Sequence, residues 1–159
     1  MSGAVHSINV SESGGVPKLP VRAGIVRFEG LEGDYNKFRT ERKEGDPRRA
    51  ICIFSLERIN ELQEEGHPID VGTAGENFTI EGMDWPSLDV GMEIRVGSTT
   101  IRLSEPCAPC NKIGDSFQGR NFSRIDHESQ GGWSRWSALV VEEGAVSVGD
   151  AVYVLDSPK

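Results

Sequence analysis

The chain is written in short alternating runs of valine, isoleucine and threonine, each cut off within a few residues by Gly, Pro, Asp or Ser. A pattern of this kind favours many short strands joined by turns over a helix bundle. Glycine is the commonest punctuation, at 19 of 159 residues. The runs fall at Ala4–Val10, Val21–Glu29, Ala50–Phe54, Thr73–Gly82, Val90–Val96 and Ser137–Val141, with a further strand opening at Thr99. Two of the chain's strands share a form, V-G-M-E-I-R-V at Val90–Val96 and V-G-D-A-V-Y-V at Val148–Val154. A Val-Gly turn leading into an alternating strand, used twice, suits a small closed barrel. A chain of this length buries about two thirds of its unfolded surface as one domain. The expectation is a single mainly β domain over residues 1–159, with a few helices and a closed or partly closed barrel.

Ser55–Glu65 breaks the alternation. Ser55 is a good N-cap, Leu56, Ile59 and Leu62 recur at three-residue spacing, and Gly66 before His67-Pro68 is a stop. This segment is predicted to be a helix covering one opening or face of the sheet. Pro17 and Pro20 bracket a rigid connector at Lys18-Leu19, and Gly30–Asp34 reads as a turn. Tyr35–Arg49 is charged and nearly free of aliphatic residues. It reads as a solvated loop, or as a lid whose Lys37, Arg39, Arg42, Arg48 and Arg49 meet an anionic ligand. Asn111–Arg124 is polar, with Phe117 and Phe122 as anchors. His127 falls in a loop, and Trp133 and Trp136 are read as packing residues.

The net charge of −8 argues against sequence-independent nucleic-acid binding, which needs a basic field. Neither a secretory signal nor an apolar run of membrane-spanning length is visible. Three cysteines, Cys52, Cys107 and Cys110, are an odd set, too few for a disulfide framework. A soluble cytoplasmic protein with reduced thiols is expected.

Thr99–Asp115 concentrates the chemistry. Ile101 and Leu103 share one face of a strand, with Thr100, Arg102 and Ser104 on the other. Pro106 and Pro109 are predicted to stop the ladder and to leave Cys107 and Cys110 in a turn past its end. This CxxC admits several readings. A zinc site needs about four ligands, and beyond this motif there are only Cys52, His6, His67 and His127. A thioredoxin-like pair expects a strand-to-helix junction. A single working thiolate would be favoured by Lys112 and nearby arginines, and a soft thiolate suits a soft metal or carried sulfur. Two packed cysteines are the structural alternative. Cys52, inside an apolar run, is read as an inert core residue. Glu76 and Asn77, beside Gly75, either face a pocket or set a turn.

The order of these segments resembles the MOSC domain, the family named for the C-terminal domain of molybdenum cofactor sulfurase. The resemblance runs through G-L-E-G-D (Gly30–Asp34), R-A-I-C-I-F-S-L-E (Arg49–Glu57), G-E-N-F-T-I-E-G-M-D-W (Gly75–Trp85), V-G-M-E-I-R-V-G (Val90–Gly97), E-P-C-A-P-C (Glu105–Cys110) and G-W-S-R-W (Gly132–Trp136). It implies a MOSC-type β-barrel, with the family's signature cysteine on Cys110. Cys107 then becomes a resolving thiol or a neutral substitution.

The resemblance further implies that the protein handles molybdenum cofactor, or sulfur bound for it. In larger relatives this cysteine ligates molybdenum in a pterin cofactor and the enzyme reduces N-hydroxylated compounds. For small stand-alone members a sulfur-carrier or sulfur-transferase role is the implication. The site residues carried over are Cys110 as metal ligand and catalytic thiolate, with Arg49, Glu76, Asn77, Lys112 and Arg135 around the cofactor. Cations and amides of this kind suit the cofactor's phosphate. A separate sulfur-donor or electron-donor protein is an expected partner, and pyridoxal phosphate would enter only through a partner desulfurase. No nucleic acid or membrane partner is expected, and the protein is expected to be a monomer or homodimer. The chain departs from the family where Tyr35-Asn36 follows G-L-E-G-D, and where K-E-G-D-P-R-R-A replaces a His- and Gly-rich segment. The alternative class is therefore a non-catalytic module that binds a small ligand or a protein on the same barrel.

Overall fold

The alternating runs become eleven strands among the described residues of this computed structural model, which cover 2–35 and 45–155. They are β1 (Ser2–Val10), β2 (Leu19–Val21), β3 (Ala23–Arg27), β4 (Gly30–Leu31), β5 (Ile51–Ser55), β6 (Phe78–Glu81), β7 (Glu93–Val96), β8 (Thr99–Pro106), β9 (Trp136–Glu142), β10 (Gly144–Ser147) and β11 (Ala151–Val154). One α-helix, α1 (Leu56–Glu64), and several short 3₁₀ turns complete the described structure. Period-two alternation sorts the side chains. Ile94, Val96, Ile101, Leu103, Ala138 and Val140 turn inward and are buried. Arg102, between Ile101 and Leu103, turns out and pairs with Glu93 on the neighbouring strand.

The strands pair in the order β11-β7-β8-β9-β5-β6-β1, and β1 returns to pair with β11, closing a seven-stranded barrel. The two Val-Gly segments meet within it, since β7 and β11 are antiparallel neighbours with Ile94 opposite Val154 and Val96 opposite Val152. β2 adds to the outside of β1, and β10-β3-β4 form a small second sheet. β5 and β6 pair in parallel, which requires a crossover connection. α1 supplies it. Its Ser55 Oγ accepts a hydrogen bond from the Arg58 amide at 3.2 Å, Ile59 and Leu62 are buried, and the chain leaves through Gly66 at φ +99°.

Several local expectations are corrected. Val21–Glu29 is not one strand: Leu19–Val21 joins β1, and Ala23–Arg27 joins β10 in the other sheet. The Pro17–Pro20 connector is in part this β2. It tolerates Pro20 because it is an edge strand, where a missing amide costs no ladder bond. Gly30-Leu31 is a short strand as well as a turn. Pro106 does not stop the ladder, since it pairs with Trp136 and the next amide, that of Cys107, donates to the Arg135 carbonyl at 2.9 Å. The ladder does shift register between Leu103 and Glu105, a bulge that re-aims the chain just before the thiols. Past them, the polar segment folds as 3₁₀ turns at Asn111–Ser116, Gln118–Arg120 and Phe122–Ile125, anchored by buried Ile113, Phe117 and Ile125, with Phe122 half-buried. Trp136 is buried, whereas Trp133 is half-buried, with the guanidinium carbons of Arg58 and Arg124 4.2 and 3.9 Å from its ring centre. No helix among the described residues is long and apolar enough to cross a membrane.

Candidate functional site

The neighbouring strands β5, β9 and β8 bring Cys52, Ser137 and the segment after Pro106 together at the floor of one pocket. Its volume is about 620 Å³. All three cysteines of the chain line it, with Ala74, Gly75, Ala108 and Pro109 as small wall residues. So do Lys18, Arg49, Lys112 and Arg135, while no carboxylate does among the described residues. A protein of net charge −8 thus has a cavity lined by cations, of which Lys18 and Arg49 pair with carboxylates outside its lining.

The floor consists of two sulfurs. Cys52 is not the inert core residue its apolar run suggests. Ile51 and Ile53 take the buried face of β5, so period two turns Cys52 to the other side, where it is half-buried in the pocket wall. Its Sγ lies 3.8 Å from Cys107 Sγ, which lies 2.9 Å from Ser137 Oγ. The hydrogen bond from Cys52 is the largest influence holding the Cys107 thiol down to about 6; Arg135, Ser137 and Arg49 act in the same direction, and burial opposes them. The same hydrogen bond, with burial, pushes Cys52 well above the usual thiol range. The two shifts run in opposite directions, so Cys107 is the thiol that ionises first and Cys52 the one that keeps its proton longer.

Arg135 closes the floor from the side. It is buried, and Nη1 donates to the Ala74 carbonyl at 2.9 Å while Nη2 reaches the Ala108 carbonyl at 3.4 Å. Its Nε is buried without a hydrogen-bond partner. Cys110 and Lys112 stand at the exposed rim, and the Arg49 guanidinium lies 2.7 Å from Glu105. Of the sequence-derived site residues, Cys110, Arg49, Lys112 and Arg135 therefore share one pocket. Lys37, Arg39 and Arg42 of the predicted lid lie outside the described residues. Arg48 is exposed and pairs with Asp46.

Glu76 and Asn77 do not line the pocket and act from behind its wall. Asn77 Oδ1 accepts from the Cys52 amide at 3.0 Å, and its Nδ2 donates to Asp34 at 2.9 Å. Asp34, the last residue of G-L-E-G-D, also pairs with Lys18 at 2.6 Å and accepts from the Ser11 amide at 2.8 Å. Glu76 accepts from the Gly72 amide at 3.1 Å and from Thr79 Oγ1 at 2.8 Å. Gly72 in turn accepts from the Lys18 amide at 2.9 Å. Its φ of +81° and the closeness of the Lys18 carbonyl leave no room for a Cβ. Sequence reasoning missed Lys18, Asp34, Cys52 and Ser137 as parts of the site. Only the alternation about Ile51 and Ile53 carried a signal, for Cys52.

Among the described residues no cluster of three or more His, Cys, Asp or Glu is placed to hold a metal ion.

A family model, the MOSC domain, matches residues 40–153. Protein YiiM of Escherichia coli strain K12 is 26% identical over 152 residues, covering 92% of this chain, and the chain spans 66% of that relative's length. The crystal structure of YiiM from Escherichia coli superposes with a TM-score of 0.73 at 22% identity, covering 99% of this chain and 71% of that one. The YuaD protein of Bacillus subtilis gives a TM-score of 0.76 at 21% identity, covering 96% of this chain and 94% of that one. These structures share the barrel fold.

Proposed function

Because this chain belongs to the MOSC domain family, we propose that its basic, thiol-lined pocket binds a molybdenum–pterin cofactor, with Cys110 as the metal's thiolate ligand. The carrying observation is the composition of the wall. Three thiols and four cations converge on a cavity of about 620 Å³, with no carboxylate among its described lining residues. That donor set fits a soft metal bound to an anionic organic group and suits a hard cation poorly. Arg135 Nε–H, buried and unpartnered, is a donor left over for such a ligand.

Cys110 stands at the rim, where an exposed thiol meets an incoming metal without displacing core residues. Arg49, Lys112 and Arg135 would hold the phosphate, Arg135 from a guanidinium already fixed to the Ala74 carbonyl. When bound, the cofactor supplies a redox-active metal centre. The protein contributes the thiolate, the anion-binding cations and a walled cavity. Reduction of N-hydroxylated compounds is one outcome of that assembly and requires a separate electron-donor protein.

Expression in a host that makes the cofactor, followed by molybdenum and pterin analysis, tests the proposal. Wild type should carry both, and Cys110→Ala should lose most of the molybdenum. Equal, near-zero loading of the two proteins would refute cofactor binding. The exposure of Cys110 also favours a second reading, in which this thiol carries sulfur as a persulfide delivered by a donor protein. Persulfide labelling unchanged by Cys110→Ala would remove it.

A further inference from the structure

We propose that Cys52 and Cys107 form a redox-active dithiol on the pocket floor, closing to a reversible disulfide by exchange with small-molecule disulfides. This couple is separate from Cys110 and stands whether or not the pocket binds a cofactor.

Four observations carry it. The two sulfurs are 3.8 Å apart, in contact with each other rather than with hydrocarbon alone. Both line a cavity roomy enough to admit a small disulfide. The pair is asymmetric. Ser137 Oγ at 2.9 Å and the Cys52 thiol both aim at Cys107, so both donate to it once it is ionised. A buried guanidinium, Arg135, needs an anion close by; of the groups that act on it, Glu76 is buried behind the wall, and the thiols alone line the pocket. Cys107 meets that need, and its depressed pKa agrees. One thiol is thus prepared as the nucleophile, and the other holds the proton beside it.

The chemistry balances with a disulfide R–S–S–R as oxidant. The Cys107 thiolate attacks one sulfur, forming Cys107–S–S–R and expelling R–S⁻. Loss of that negative charge from Cys107 removes the largest influence that keeps Cys52 protonated, leaving burial as the main one that opposes ionisation. The Cys52 proton passes to the departing thiolate, and Cys52 sulfur attacks the Cys107 sulfur, breaking the mixed disulfide. The products are a Cys52–Cys107 disulfide, one R–SH and one R–S⁻, which takes from water the proton that Cys107 gave up on ionising: two protein thiols are oxidised and one disulfide is reduced. The sulfurs must close from 3.8 Å to about 2.05 Å. The attacking thiol titrates near ambient pH, where exchange is fastest.

The test uses the Cys110→Ser protein, made without cofactor, equilibrated in oxidised and reduced glutathione and then acid-quenched. Intact mass should show loss of two hydrogens, and non-reducing digestion should yield a peptide joining Cys52 to Cys107. Adding Cys52→Ser should trap glutathione on Cys107, while adding Cys107→Ser should leave Cys52 unmodified. The same digestion of wild type distinguishes Cys52–Cys107 from Cys107–Cys110 linkage, so the outcome does not depend on any variant folding. A mixed disulfide on Cys107 that persists in Cys110→Ser, or a wild-type linkage between Cys107 and Cys110, would overturn the proposal. Failure of molybdenum loading would leave it standing.

Discussion

Cys107 is three positions from Cys110 in sequence, yet the two occupy different chemical settings. Cys110 is exposed, while Cys107 is met by a thiol and a hydroxyl and feels the charge of Arg135. In Cys110→Ser, alkylation of Cys107 should accelerate as pH rises through about 6 and then level off. Arg135→Gln should move that rise to higher pH and slow the reaction several-fold at pH 7, measured by quenched mass spectrometry. Stability follows the same proton. The folded pKa of Cys107 lies below the ~8.5 of an unfolded thiol, so its contribution is complete above that value. It is lost as pH falls through about 6. Cys52, pushed the other way, contributes below the ordinary thiol range and loses that contribution as pH rises above it. Cys107→Ser should therefore flatten the dependence of the urea midpoint on pH between about 6 and ~8.5.

At the scale of elements, the pocket depends on the loop that follows α1 and enters β6. Glu76 ties this loop together by accepting from Gly72 and Thr79 while wholly buried. Burial is the main cause that raises its pKa, and the two hydrogen bonds partly offset it. Glu76→Ala leaves two donors unsatisfied beside a cavity and should cost about 2–4 kcal/mol in chemical denaturation. Glu76→Gln keeps the acceptor and should cost within about 1 kcal/mol. A carboxyl with a raised folded pKa favours the fold at low pH and opposes it as pH rises through that pKa, so the Gln variant should compare best with wild type in the alkaline range. Equal losses from Ala and Gln would show that Glu76 contributes charge rather than acceptor geometry.

Over the whole molecule, the closed barrel and its charge distribution decide what can enter. A net charge of −8 repels anions at long range, and the pocket cations attract them only at close quarters. Inorganic phosphate, followed by calorimetry, should bind weakly and weaken further with salt, because rim cations such as Lys112 are exposed and screened. Arg49→Gln and Arg135→Gln should each reduce that affinity several-fold, and Arg48→Gln, outside the pocket lining, should leave it unchanged. Oxidation of the floor dithiol removes a negative charge that acts on Arg135, so the oxidised protein should bind phosphate more tightly than the reduced one.

Alternation, capping and turn chemistry are local properties, and they were legible before any coordinates. Ile101 and Leu103 face inward, Ser55 caps α1, and the two Val-Gly segments each open a strand. Of the six residues carried over from the family, Cys110, Arg49, Lys112 and Arg135 line one pocket, and Glu76 and Asn77 do not. What a side chain faces across the sheet is not local. Period two turns Cys52 away from Ile51 and Ile53, but it cannot say that the strand beyond its neighbour ends at a thiol 55 positions along the chain. Lys18 and Asp34, distant in sequence from the cysteines, join the site through Asn77 and the Cys52 amide. Strand order is set by the burial of many weak contacts at once, and that is why the floor of this pocket exists only in the folded barrel.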